Sequence, residues 1–293
     1  MSWTVFVVIA AMGQTARNAM QRELTASLGA AGATHVRFLF GFPFALLFLA
    51  GVSLVTHDAL PHTNALFWEW DVAGAVAQIF GTAMMLLTME ERSFVVAIAY
   101  SKTEPIFVAV FGLVFLGDAL NLSLAASILL ATAGVMIISY RPGVKTKAKV
   151  ALMGLGAGAF YAVSAVGYRG AILALHEPHY LIAATFTLSI GLFIQAVLLS
   201  AWLAARTPAV LVAIARLWRQ SLFAGFMGAA ASQFWFLAFA LATAASVRTL
   251  GLIDVLFAQG VSHFIFKQPT TKREAAGIAL LVAGAALLVW GQT

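Results

Sequence analysis

The sequence predicts an all-α integral membrane protein of ten transmembrane helices, arranged as two inverted five-helix repeats. Three observations carry that prediction. Of 293 residues, 62% are hydrophobic and only 10% charged, with a mean hydropathy of +0.96, whereas a soluble domain carries about 25% charged residues. Long apolar runs broken by charge or turn signals recur along the whole chain, each near the roughly 20 residues that cross a bilayer. The chain also matches itself when slid by 150 residues: Ala126-Ile128-Leu130-Ala133-Gly134 falls on Ala276-Ile278-Leu280-Ala283-Gly284, Phe107 on Phe257, and Glu104 on Asp254.

The expected spans are 3–21, 33–55, 72–89, 94–116, 122–140, 150–175, 180–205, 221–242, 246–266 and 275–290. The first is a permanent helix rather than a cleaved signal, because its first basic residue, Arg17, follows the apolar stretch instead of preceding it. The fourth carries Ser101-Lys102-Thr103-Glu104-Pro105, where the proline removes a backbone hydrogen bond and opens the helix locally. The fifth, from Ala126 to Ile138, is apolar on every side apart from Ser127 and Thr132, which excludes the alternating pattern of a barrel strand. The sixth holds Gly154 and Gly158 at a spacing that allows close helix contact. Trp3, Trp68, Trp70, Trp202, Trp218 and Trp290 lie near span ends as headgroup anchors, and Trp235, at mid-span, is expected to pack toward lipid or, alternatively, to line a cavity.

Connections after odd-numbered spans hold Arg22, Arg92, Arg141, Lys145, Lys147, Lys149, Arg206, Arg216, Arg219, Lys267, Lys272 and Arg273, and those after even-numbered spans hold no Lys or Arg. Basic residues resist translocation, so both termini are expected on the non-cytoplasmic side of a bacterial inner membrane. A repeat of five spans enters the bilayer from opposite sides in its two copies, the arrangement from which many secondary transporters are built. The expected units are residues 1–145 and 146–293, joined at the basic stretch Arg141 to Lys149.

Ionisable groups at membrane depth are costly, by ~2.5 to 3.5 kcal/mol on insertion scales, and tend to line cavities or pair. Five bases, Arg17, Arg37, Lys102, Arg169 and Arg248, lie within spans against two acids, Glu104 and Asp254, so the interior is net cationic. Gln14, Arg17, Asn18 and Gln21 share one face of span 1, and Tyr161, Ser164 and Tyr168 repeat the pattern in span 6. These stripes are expected to line a central cavity, or else Arg17 snorkels while the amides join neighbouring helices. Lys102 and Glu104 point about 200° apart and need partners elsewhere, as do Arg248 and Asp254. Each acid serves either proton or substrate binding or an interhelical bridge, for example from Glu104 to Arg17 or Arg248. Cys 0 excludes disulfides and thiolate metal sites, and the six histidines include no helical pair with ligand spacing, so no metal or other cofactor is expected.

Val36-Arg37-Phe38 in span 2, together with Glu104-Pro105-Ile106-Phe107 running to Leu116-Gly117-Asp118, resembles the drug/metabolite transporter superfamily, specifically its EamA-type ten-helix permeases. The family's usual Leu-Gly-Glu ends here in Asp118, and the second half reads Phe266-Lys267-Gln268, so its copy of the motif is lost. The resemblance implies a secondary transporter, often an exporter of amino acids or other small metabolites, with structural roles for Arg37, Pro105 and Gly117.

The expected function is proton-coupled export of a small zwitterionic or anionic metabolite, such as an amino acid or its derivative. Gln14, Arg17, Asn18, Lys102, Tyr161, Ser164, Tyr168 and Arg248 would bind substrate, and Glu104 and Asp254 would couple ions. The alternative is efflux of cationic drugs, against which the cationic interior argues. A membrane enzyme would need paired catalytic carboxylates, a Gly-x-Ser-x-Gly elbow or an HExxH helix, which the sequence lacks. A non-transporting scaffold leaves the repeat without purpose. The expected partners are the lipid bilayer, the small-molecule substrate and protons, with no nucleic acid, and the chain is expected to act as a monomer.

Overall fold

A computed structural model describes residues 2–89, 100–140, 148–264 and 270–291. Residues 94–99 of the fourth expected span, Arg92, the linker residues Arg141, Lys145 and Lys147, and Phe266-Lys267-Gln268 lie outside the described residues. The helices are α1 (Ser2–Leu39), α2 (Gly41–Thr56), α3 (Ala65–Met89), α4 (Glu104–Phe111), α5 (Leu122–Ser139), α6 (Ala148–Ala174), α7 (Tyr180–Arg206), α8 (Pro208–Arg216), α9 (Trp218–Leu241), α10 (Ala244–Leu250), α11 (Asp254–Phe264) and α12 (Lys272–Trp290). Among the described residues there are no strands, and seven helical stretches are long and apolar enough to cross a membrane.

The first two expected spans meet with almost no loop between them. Helix continues past Arg22 to Leu28, and the break is one residue, Gly29, at φ 68° and ψ 171°, a conformation that a Cβ would strain. The Gln21 amide reaches the Ala33 carbonyl at 3.4 Å, although a straight helix would hold residues twelve apart about 18 Å from each other. The chain therefore doubles back at Gly29.

Between α7 and α9 the structure adds an element that the sequence reading treated only as a basic connection. In α8, Pro208 occupies the first turn, where its missing N–H costs nothing. Ile214 is buried, and α8 packs with Leu24, Leu28 and Ala33 beneath the Gly29 reversal.

Two expected continuous spans are broken. The fourth has a turn at Lys102 and Thr103 before α4, and Pro105 stands at the start of α4 rather than inside a helix. It ends in a π-helical turn, Gly112–Leu116, closed by Gly117 at φ 68°. The ninth divides into α10, a 3₁₀ turn over Gly251–Ile253, and α11. Other termini follow capping chemistry: Asn121 accepts from the Leu124 N–H at 2.7 Å, and Thr271 and Glu274 form a reciprocal capping box at the start of α12.

The most extensive packings are α3 with α6, α1 with α9, and α5 with α12. The last is backbone to backbone: a Cβ on Gly134 would stand 2.6 Å from the Gly277 oxygen and 2.7 Å from the Leu281 nitrogen. One on Gly284 would stand 2.9 Å from the Ser127 oxygen and 2.8 Å from the Ala131 nitrogen. Residues 134, 127 and 131 become 284, 277 and 281 when 150 is added, so the seam makes the same contact twice with the helices exchanged.

Arg169 closes one end of the bundle. Its guanidinium donates to the Phe239 and Ala242 carbonyls at the end of α9, at 2.7 and 2.5 Å, and lies 3.5 Å from Asp118. A cation at a helix C-terminus is well placed against the helix dipole. Trp3 and Trp70, expected as headgroup anchors, turn inward instead: Trp3 is buried, and the Trp70 ring lies against Gly170.

Candidate functional site

The two broken helices bring charge to the centre of the bundle. The turn at Lys102 and Thr103 releases the helical register so that Lys102 and Glu104 reach different partners on the facing segment. Lys102 Nζ contacts Asp254 Oδ2, and Arg248 pairs bidentately with Glu104, Nε to Oε1 at 2.5 Å and Nη2 to Oε2 at 2.7 Å. Each segment thus supplies one base and one acid, and each base is answered from the other half of the chain. Gly158 permits the approach of α6 to this break, since a Cβ there would meet the Ser101 carbonyl at 2.9 Å.

Around these pairs lies a small cavity lined by Gln14, Arg17, Asn18, Lys102, Glu104, Tyr161, Ser164, Tyr168 and Arg248 among others. Gln14 also donates to Asp254 at 3.0 Å. The Tyr161 hydroxyl donates to Thr82 at 3.3 Å, and Tyr168 joins Gln78 and Gln195. Every residue singled out from the sequence for substrate binding or ion coupling therefore lies at this cavity or, for Asp254, bonds to residues that line it. Gln21 does not: it is buried against Ala33 at the reversal of α1.

Three further residues line the cavity. Arg37, expected to be structural, is 3% exposed, donates through Nη1 to Thr82 at 3.1 Å, and has no partner for Nε among the described residues. Trp235 does not face lipid; it is buried, and Arg248 stacks over its ring at 4.6 Å from the centroid. Gln78 lies one turn from Thr82 on the cavity face of α3 and carries no charge to draw attention in a sequence.

The bases are not equivalent. Lys102 and Arg248 have carboxylate partners, whereas Arg17 and Arg37 have none among the described residues. The Arg17 guanidinium, 3% exposed, donates only to Asn18 Oδ1, at 2.9 and 3.3 Å. Both arginine stems pass the bare face of Gly228, where a Cβ would stand 3.3 Å from Arg37 Cγ and 3.6 Å from Arg17 Cδ. Two buried guanidiniums thus stand side by side at the cavity with no carboxylate partner among the described residues, and their planar donor forks have the geometry that matches a carboxylate. The enclosed volume is about 60 Å³, room for about two waters at ~30 Å³ each.

Discontinuous helices thus converge on a polar centre in a chain with seven helical stretches long and apolar enough to cross a membrane among the described residues. The model of the EamA-like transporter family matches residues 1–140, and that match implies a membrane transporter of the drug/metabolite transporter superfamily. A solved structure described as "Crystal structure of protein" is similar in fold, with a TM-score of 0.76 over 99% of this chain and 96% of its own, at 14% sequence identity. No curated protein matches the chain in sequence.

Proposed function

We propose that the protein is a secondary active exporter of a small carboxylate-bearing metabolite, zwitterionic or anionic, such as an amino acid or its derivative. The observation that carries this reading is the pair Arg17 and Arg37, buried at the cavity with no carboxylate partner among the described residues. A substrate carboxylate supplies the missing partner, while Asn18, Tyr161 and Ser164 offer it hydrogen bonds. Lys102 and Arg248 are held by Asp254 and Glu104 until substrate competes for them. An acid displaced in this way cannot stay charged and unpaired in a low-dielectric site, so it takes up a proton, and that exchange couples transport to protons.

Alternating access in this reading comes from two inverted five-helix repeats, residues 1–145 and 146–293, moving against each other. Support comes from the reciprocal seam between α5 and α12 and from the matched packings of α3 with α6 and α1 with α9. The cavity must widen in another state to admit a metabolite, since its present volume suits about two waters. The basic loops face the cytoplasm of a bacterial inner membrane, both termini lie on the opposite side, and one chain forms the complete transport unit.

A thermal-shift survey of the purified protein, from about pH 5 to pH 8, tests the substrate class, because a ligand that binds only the folded state raises its melting point. Amino acids or organic anions are expected to stabilise it, and lipophilic cations are not. Stabilisation by cations alone would contradict this reading in favour of cationic drug efflux.

A further inference from the structure

Asp71, in the second turn of α3, is completely buried, and neither of its carboxyl oxygens has a hydrogen-bond partner among the described residues. Beside it lies a continuous polar chain. The Gln195 amide nitrogen, with two N–H groups to share, lies within hydrogen-bond distance of three acceptors, the Ala75 carbonyl at 3.1 Å, Gln78 Oε1 at 2.9 Å and the Tyr168 hydroxyl oxygen at 2.9 Å. The Tyr168 hydroxyl in turn donates to Gln78 Oε1 at 3.3 Å. Tyr168 and Gln78 both line the central cavity. A Cβ on Gly191 would stand 3.3 Å from Asp71 Oδ1 and 3.3 Å from the Tyr168 hydroxyl, so carboxyl and phenol flank the same bare Cα.

Among the described residues, none of the helices packed against Asp71 gives it a counter-charge. At its level α6 presents Tyr168, while the adjacent Arg169 is turned to the α9 carbonyls. α7 presents the neutral Gln195. On α3 itself Glu69 is exposed. From α1, Arg37 reaches Thr82, eleven residues further along α3 and so about 16 Å away. An isolated carboxylate in such a place costs far more than the fold can supply, and it sheds its charge by binding a proton.

The geometry points to Asp71 as a proton-binding site that exchanges its proton with the central cavity through the Tyr168 hydroxyl. For its part in coupling the proposal rests on the transport reading above, and it gives that cycle a proton carrier separate from Glu104 and Asp254. On unloading, the Asp71 side chain turns until its O–H reaches the Tyr168 oxygen, and the phenol turns from Gln78 Oε1 to water in the cavity; the Asp71 O–H bond then breaks, its proton passes to the Tyr168 oxygen, and the phenol's own proton passes to that water. A carboxylate remains at Asp71 and a hydronium ion forms in the cavity; loading is the reverse. Gln78 and Gln195 hold the phenol in place for both directions.

Infrared spectroscopy of the purified protein at neutral pH, with no substrate present, tests this. A protonated carboxyl gives its own carbonyl stretch, which shifts when its proton exchanges for deuterium. The wild type should show a band that Asp71→Asn removes and that Asp71→Glu moves, and transfer to D₂O should shift it readily. In Tyr168→Phe the exchange should slow by at least about tenfold, equivalent to about 1.4 kcal/mol on the barrier. A spectrum that neither Asp71 variant changes, or exchange equally fast in Tyr168→Phe, overturns the proposal. An Asp71 band with the expected exchange in a protein that no carboxylate stabilises would support the proton site and sink the substrate assignment alone.

Discussion

The seam between α5 and α12 and the facing pair formed by α4 and α10 solve the same problem in opposite ways. In the seam, Gly134, Gly277 and Gly284 bring two backbones into direct contact. The groups in contact at these glycines are uncharged, and small residues at helix interfaces are how bilayer-embedded helices gain close packing. Between α4 and α10 the helices are broken, and the join is made by Lys102 with Asp254 and Arg248 with Glu104. A backbone seam has a single well-packed arrangement, while an ion pair can exchange its partner for a substrate. The first is suited to a fixed scaffold and the second to a gate.

Variants that break this contrast should differ in size and in remedy. Arg248→Met leaves Glu104 buried and alone, and removing one partner of a buried pair costs about 3 to 5 kcal/mol. Denaturant unfolding in detergent should show that loss and its substantial recovery in the double variant Glu104→Met with Arg248→Met. A small single-variant loss would mean that the pair does not hold the segments together. Arg169→Gln removes charge-assisted bonds to the Phe239 and Ala242 carbonyls, a loss of about 1.5 to 3 kcal/mol, and should speed proteolysis near residue 242.

Gly134→Ala places a methyl group against the Gly277 carbonyl, and overpacking of this kind costs about 1 to 3 kcal/mol. Unlike the charge variants, it should find no rescue in a second polar change, and melting curves of Gly134→Ala with and without Glu104→Gln would show additive losses. The smallest effect belongs to the loop contact between Asp58 and His179, 2.6 Å apart. A hydrogen bond at Thr56, and then His179, hold the Asp58 carboxyl below the usual carboxylate range. Its contribution is therefore present above the ordinary aspartate value of about 3.9 and lost as pH falls through the lower folded value. Asp58→Asn should flatten that slight acid sensitivity in melting temperature against pH.

Much of this organisation was legible in the residues because bilayer physics leaves few choices. Apolar runs marked the helices, and intramembrane charge marked Arg17, Lys102, Glu104, Arg248 and Asp254 as a group. The pairing was not legible, since angles along one helix say only that Lys102 and Glu104 cannot meet each other. Asp71 escaped notice because the apolar run starts one residue later, although α3 begins at Ala65. Arg37 was given a structural role through the family resemblance, whereas the structure places it at the cavity. For Trp235 both lipid and the cavity stayed open, because a lone indole carries no signal of the guanidinium that stacks on it.

Arg17 and Arg37 have no carboxylate partner among the described residues, and in the proposed function a substrate carboxylate supplies one. Residues kept for function in this way are destabilising in the empty protein. The direct test is the melting temperature of a double variant, Arg17→Gln with Arg37→Gln, measured without ligand and with the carboxylate that most stabilises the wild type. The account predicts a ligand-free melting point above that of the wild type, with the shift on adding carboxylate abolished. A lowered melting point together with an undiminished carboxylate shift would contradict it.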